Sequence, residues 1–288
     1  VENERYPYWP LPERPAIRWP NDARVAFWII PNIEHFRIDG RFEGTRGAPD
    51  VYNFAARDYG SRVGIWRIMD VFDKHQVRAT VALNSDVCRF EPQIIRAGEE
   101  RKWEWMGHGI SNSQSLVGMA EAEERATIRT VVDTITQHTG RPPQGWLGPG
   151  LGETFNTPDL LAEAGIRYVC DWCADDQPFP MRVRSGQMIS VPYALEFNDI
   201  PIFARKGQNP EEFYRAICDQ LDVLYEDGAR SGRVMAIAIH PFLSGHPHRA
   251  RWLDRALEYI TTHEGVWVTT GGEIAAWYYD HYYDEASK

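Results

Sequence analysis

This sequence predicts an α/β fold: a mostly parallel sheet closed into a barrel of about seven strands. Three observations carry that reading. Short unbroken apolar runs recur along the chain, each the length of a strand buried on both faces. Stretches with apolar residues at helical spacing alternate with them, and strand-then-helix alternation builds parallel sheets. Several runs stop abruptly at polar or titratable residues, as strands do at the working mouth of an α/β barrel. An open doubly wound sheet is the alternative. Neither G-x-G-x-x-G nor G-x-x-x-x-G-K-[ST] is present to support nucleotide binding.

The 288 residues are 43% hydrophobic and 25% charged. That is ordinary globular composition with enough material for a large core. A formal net charge of −10 argues against a nucleic-acid surface. No apolar run is long enough to span a bilayer, and the start carries no signal-peptide pattern. Four cysteines, Cys88, Cys170, Cys173 and Cys218, are too few for a disulfide scaffold of this size, so a reducing cytoplasm is expected. Cys170 and Cys173 have C-x-x-C spacing but no second pair for zinc; small buried apolar residues are the simpler reading.

In chain order, residues 1–23 hold five prolines and two tryptophans. They read as an extended arm over the body or a neighbouring subunit, with 24–288 as a single barrel domain. Residues 24–30 are the first buried strand, which Pro31 is expected to stop. Residues 37–60 read as a loop, long for a bare connection. Ser61 has the character of an N-cap for a helix carrying Val63, Ile65, Trp66, Ile68, Met69 and Phe72. Strands follow at 77–83 and 103–106, with a helix at 91–100 between them. Residues 120–138 form a long helix closed by Gly140. Short strands at 144–147 and 166–170 flank a helix that starts at Thr157-Pro158. A strand at 188–191, a loop at 193–208 and a helix at 210–226 lead to the clearest strand, 234–239, six apolar residues ending at His240-Pro241. A helix at 251–263, a strand at 266–269 and an aromatic-rich helix at 272–283 complete the chain.

The strand endings bear the chemistry. Asn32 and Glu34, His108, the 171–176 stretch and His240 each follow an apolar run, and a barrel would converge them on one mouth. A carboxylate with two imidazoles is an acid/base set able to send water at a carbonyl and a proton to a leaving nitrogen. The plain alternatives are a surface ion pair for Glu34 beside His35, a structural histidine between Gly107 and Gly109, and a turn cap at Asp175-Asp176. His246 and His248 read as loop surface. No G-x-S-x-G elbow supports a serine hydrolase.

The stretches WIIPNIEH, WEWMGHGISNS, RPPQGWLGPG, TPDLLAEAGIRYVCDWCADDQP and AIAIHPF resemble the polysaccharide deacetylase (carbohydrate esterase 4) superfamily. The resemblance runs from about residue 24 to 279. It points to the branch of cofactor-independent allantoinases, cyclic-imide hydrolases and peptidoglycan deacetylase-like proteins, and it implies an irregular (β/α) barrel. In metal-dependent members an aspartate base is followed by an aspartate and two histidines that hold a divalent ion. Those positions fall here on Asn32, Glu34, His108 and Asn112, and the family's substrate-facing arginine falls on Leu147.

These departures turn the expectation from sugar deacetylation toward cyclic amides, with no cofactor required; the alternative is a divalent metal such as zinc at Glu34 and His108. On this reading Glu34 and His108 activate water, which of them is the base being open, and His240 protonates the ring nitrogen. Asn32, Asn112 and the backbone of Gly148 to Gly150 are the expected oxyanion donors. Asp176 and Asn198 are expected on the imide N–H, with Trp172 also lining the substrate. A metal-dependent polysaccharide N-deacetylase and a catalytically inactive member are the competing readings. The resemblance also implies a homotetramer.

Overall fold

Nine strands form one sheet in the computed structural model, which describes residues 2–40, 47 and 49–287. They are β1 (Val25–Ile33), β2 (Thr80–Leu83), β3 (Glu104–Gly107), β4 (Gly145–Trp146), β5 (Tyr168–Val169), β6 (Phe179–Met181), β7 (Met188–Ser190), β8 (Arg233–Ile239) and β9 (Val266–Val268). The order is β6-β7-β5-β4-β3-β2-β1-β8, with β9 paired to β1. Every pairing is parallel except β6 with β7. An isolated bridge joins Asn198 to Ala238, and Ala238 N–H donates to Phe197 O at 2.9 Å. The segment after β7 thus reaches back to β8, and the sheet curls into an irregular barrel.

Alternation along the strands divides the apolar residues into two cores. Ala26, Trp28 and Ile30 of β1 meet Val234, Ala236 and Ala238 of β8 in an inner core that also holds Met106, Leu147 and Tyr168. Phe27 and Ile29, with Met235, Ile237 and Ile239, face the other way into a larger core against the helices. This is the period-2 rule of a strand covered on both sides. Followed past the strand ends, the same period sets the inner face for Asn32, Glu34, Asn84, His108 and His240.

Several expectations are corrected. Pro31 does not end β1, which continues to Ile33. The strand changes partners there: Pro31 is the last residue paired to β8, and Asn32 the first paired to β2. Proline forfeits one donor, and it sits where a ladder is already changing hands. The 37–60 stretch is not all loop. A helix spans Val51–Tyr59, capped by Asp50 accepting from Asn53 N–H; residues 41–46 and 48 lie outside the described residues. Ser61 caps nothing, because the helix runs on through a π-helical turn, Gly60–Gly64, into Ile65–Lys74. The glycines there allow backbone contact: a Cβ on Gly60 would stand 2.7 Å from Phe242 N, and one on Gly64 would collide with Pro241 O. The sequence reading also passed over β6 and the one-turn helix Pro241–Ser244.

The arm lies on its own body. Ile17 and Trp19 are buried, Trp19 Nε1–H donates to Arg233 O at 2.9 Å, and Arg5 pairs with Asp159 at 2.8 Å. Ile17 and Trp19 thereby cover the start of β8. Among the described residues, no helix is long and apolar enough to cross a membrane.

Candidate active site

Glu34, His108 and His240 meet at the C-terminal mouth of the barrel. Glu34 Oε1 lies 3.5 Å from His108 Nε2 and 3.6 Å from His240 Nε2, and all three side chains are at least 95% buried. Each is delivered by the inner-face alternation of its strand. β1 brings Glu34, β8 brings His240, and β3 brings His108, whose N–H still bonds to Leu83 O at 3.0 Å.

The outer nitrogens of both imidazoles are committed. His108 Nδ1 sits 2.6 Å from Leu147 O. A carbonyl can only accept, so Nδ1 carries the proton and Nε2 faces the carboxylate. His240 Nδ1 lies 2.7 Å from Asp199 Oδ1. Asp199 also takes His240 N–H at 2.8 Å and Ser244 O–H at 2.6 Å, so its buried charge is well satisfied. His240 therefore stands between two carboxylates.

The electrostatics follow from that placement. Burial acts to lower the His240 imidazolium, but the charges of Asp199 and Glu34 outweigh it and push the group up to about 10. Burial acts to raise the Glu34 carboxyl, but the His240 charge and its hydrogen bond, with His108 close by, bring it down to about 2. At neutral pH the mouth holds an ionised carboxylate against an imidazolium.

The residues present do not fit a three-ligand metal centre. At the third ligand position Asn112 turns its amide N–H to Glu34, while its oxygen accepts from Asn84 Nδ2 at 3.0 Å. Both ends of the amide are spoken for, and the oxygen points away from the carboxylate. Among the described residues no group of three His, Cys, Asp or Glu side chains is disposed to hold a metal ion.

The other predicted residues are placed as follows. Asn32 is buried, and its amide N–H group reaches Tyr193 OH at 3.2 Å and Ile30 O at 3.3 Å. Asn198 Nδ2–H donates to the same Tyr193 hydroxyl at 3.4 Å. These three tie the inner wall together behind Glu34. Gly148 N–H donates to Asp171 Oδ1 at 2.8 Å, and Gly150 (φ 64°) is at the tip of the following turn. The expected oxyanion donors Asn32, Asn112 and Gly148 are therefore already engaged with protein partners. Trp172 Nε1–H is shared by both Glu153 oxygens at 3.1 Å.

Asp176 is not brought to the mouth. Its carbonyl accepts Val234 N–H at 2.8 Å, and Val234 is six residues before His240 on β8, roughly 20 Å away along the strand. His35, not Glu34, makes the peripheral ion pair, with Glu91 at 3.2 Å.

Asp199, Asn84, Tyr193 and Ser244 complete the site, and sequence reasoning gave them no role. Asn84 joins the strands: it donates to His108 O and to Asn112, and accepts His35 N–H at 2.9 Å. A polar residue one step beyond each apolar run was the available signal for Asn84. Asp199 lies in an irregular segment and carries none.

Among the described residues, little space is left beside the carboxylate. A cavity of about 10 Å³ beside Asn32 and Glu34 is walled by Arg57, Ser61 and Phe242, the space of about one water molecule. A larger cavity of about 700 Å³ lies among the arm, Gln177 and the tyrosines of the last helices. It is at the other end of the barrel, since Gln177 Nε2–H donates to Gly232 O at 2.8 Å just before β8. Chemistry rather than volume identifies the site.

Comparison with known proteins agrees with the fold. Residues 56–169 match the polysaccharide deacetylase family. A Schizosaccharomyces pombe protein named as a polysaccharide deacetylase is 30% identical over 92% of this chain and 93% of its own. The peptidoglycan deacetylase of Helicobacter pylori is 25% identical over 81% of this chain and 89% of its own. Among solved structures, Puue allantoinase superposes with a TM-score of 0.84 at 28% identity, covering 93% of this chain and 95% of that one.

Proposed function

The chain belongs to the polysaccharide deacetylase family, hydrolases acting on C–N bonds, and from that footing we propose that it opens small cyclic amides, an imide or ureide ring, with water and without a metal. The observation that carries this reading is the buried Glu34, His108 and His240 cluster with an amide at the third ligand position. The allantoinase likeness supports the same direction.

The roles follow from the charges. A carboxylate held near 2 is a weak base, and His240 is already protonated, so His108 Nε2 takes the proton of the attacking water. The water oxygen bonds to the ring carbonyl carbon. His240 gives its Nε2 proton to the ring nitrogen as the C–N bond breaks, the new acid returns a proton to the now neutral His240 to leave a carboxylate, and His108 passes the water proton to solvent. Glu34 stabilises the imidazolium on either side of it. Strong Lewis-acid help matters less here than for a sugar acetamide, because a ring nitrogen beside electron-withdrawing carbonyls leaves readily. The four unpaired thiols suit a reducing cytoplasm, and we expect a homotetramer.

The test is a substrate panel. Chelator-stripped protein is incubated with succinimide, allantoin and chitin oligosaccharides, then again with zinc. Ring opening without metal supports the proposal. Acetate release that requires zinc replaces it with a metal-dependent N-deacetylase, and silence throughout identifies an inactive member.

A further inference from the structure

Arg57 lines the small cavity beside the buried carboxylate. It is only partly buried and borders the same small cavity as Asn32 and Glu34. Its guanidinium lies 5.0 Å from the Phe36 ring centroid and 5.5 Å from that of Phe242. Arg57 Nη1 donates to Asn53 O at 3.2 Å and Oδ1 at 3.4 Å, and Asn53 is itself fixed to the helix cap Asp50. Phe242 in turn is edge-on to His240 at 5.5 Å. The cation is therefore built into the wall of the mouth, stacked on the residue two positions after the proposed acid.

Ring opening changes the charge at this mouth. Glu34 and Asp199 face it as carboxylates. His240 gives a proton to the leaving nitrogen and recovers one from the new acid, His108 passes the water proton to solvent, and a new carboxylate is left at the attacked carbon. An anion created in a poorly solvated site is costly unless a cation faces it. A planar guanidinium is the side chain best shaped for a carboxylate.

We propose that Arg57 receives the carboxylate of the ring-opened product, which makes it the residue that distinguishes a charged open chain from a neutral one at this mouth. This rests on the reading of the site as a cyclic amidohydrolase, but its test needs no turnover.

Succinamate and succinamide differ by a carboxylate against an amide. Each is titrated calorimetrically into the wild-type protein, Arg57→Gln and Arg57→Lys. The wild type should favour succinamate by about tenfold or more. Arg57→Gln should erase most of that preference, and Arg57→Lys, which keeps the charge but loses the planar fork, should retain part of it. A wild type indifferent to the charge overturns the proposal, as does Arg57→Gln with its preference intact. Should Arg57→Gln fold poorly, the wild-type comparison and Arg57→Lys still decide. Turnover of succinimide without a charge preference sinks this inference alone. A charge preference without turnover of any ring sinks the functional reading alone.

Discussion

The two ends of β1 and β8 are finished in opposite ways. At the C-terminal mouth, Glu34, His108, His240, Asn84 and Asn112 are each other's partners, and about 10 Å³ is left beside them. At the other end, Trp19 plugs the start of β8 and aromatic residues of the arm and the last helices surround about 700 Å³. The strands and the inner face are the same. What differs is whether the side chains continuing that face are titratable and mutually oriented. A barrel end becomes a candidate for chemistry through that orientation, and empty volume is no guide to it.

Substitutions at the two ends should therefore have opposite signatures. The largest effect is expected from His240→Ala, which removes the proposed acid: kcat/KM on the ring that the protein opens should fall by about 10³-fold, read by steady-state assay. Full activity in this variant would erase the distinction between the ends. Asp199→Asn should cost about 10²-fold. It should also move the alkaline limb of the pH profile to lower pH, because the charge that raises His240 is gone. An unmoved limb would assign that limb to another group.

At the opposite end, Trp19→Ala should lower unfolding free energy by about 3–5 kcal/mol in denaturant titration, yet leave kcat of the folded fraction unchanged. Loss of kcat there would mean that the ends are coupled.

The pH dependence sharpens the same contrast. His240 is raised above its ordinary value to about 10, so its contribution to stability is complete below about 6.5 and is lost as pH rises through about 10. Glu34 is depressed to about 2, so its contribution is present above about 4.3 and disappears as pH falls through about 2. The alkaline limb of activity, which reports loss of the His240 proton, should fall near 10. The smallest effect is expected from Tyr8→Ser in the arm. Tyr8 is 92% exposed, and the change in stability should stay within about 0.5 kcal/mol.

Much of the strand pattern was legible because buried parallel strands write themselves as apolar runs, and 234–239 is the plainest case. The polar endings Glu34, His108 and His240 were legible for the same reason: a run of apolar residues has no need of them. The helix Val51–Tyr59 was not legible, because it buries none of its side chains and so carries no apolar stripe. Ser61 misled because the helix crosses it through a π-helical turn shaped by glycine contacts. Asp199 was hidden by distance. Its partner His240 is 41 residues later, and no local pattern marks a carboxylate that a crossover returns to β8. Asp176 erred the other way, since two adjacent aspartates after a strand suggested a mouth that the chain had already left.

The glycine seat between Gly60–Gly64 and the turn after His240 has a mechanical consequence. Backbone rests on backbone there, with no side chain to yield. A tilt of the Val51–Lys74 helical segment is passed without slack to Pro241, and so to the imidazole before it. That segment is thus part of the foundation on which the proton donor is aimed, and one methyl group at Gly64 would shift the aim from outside the chemistry.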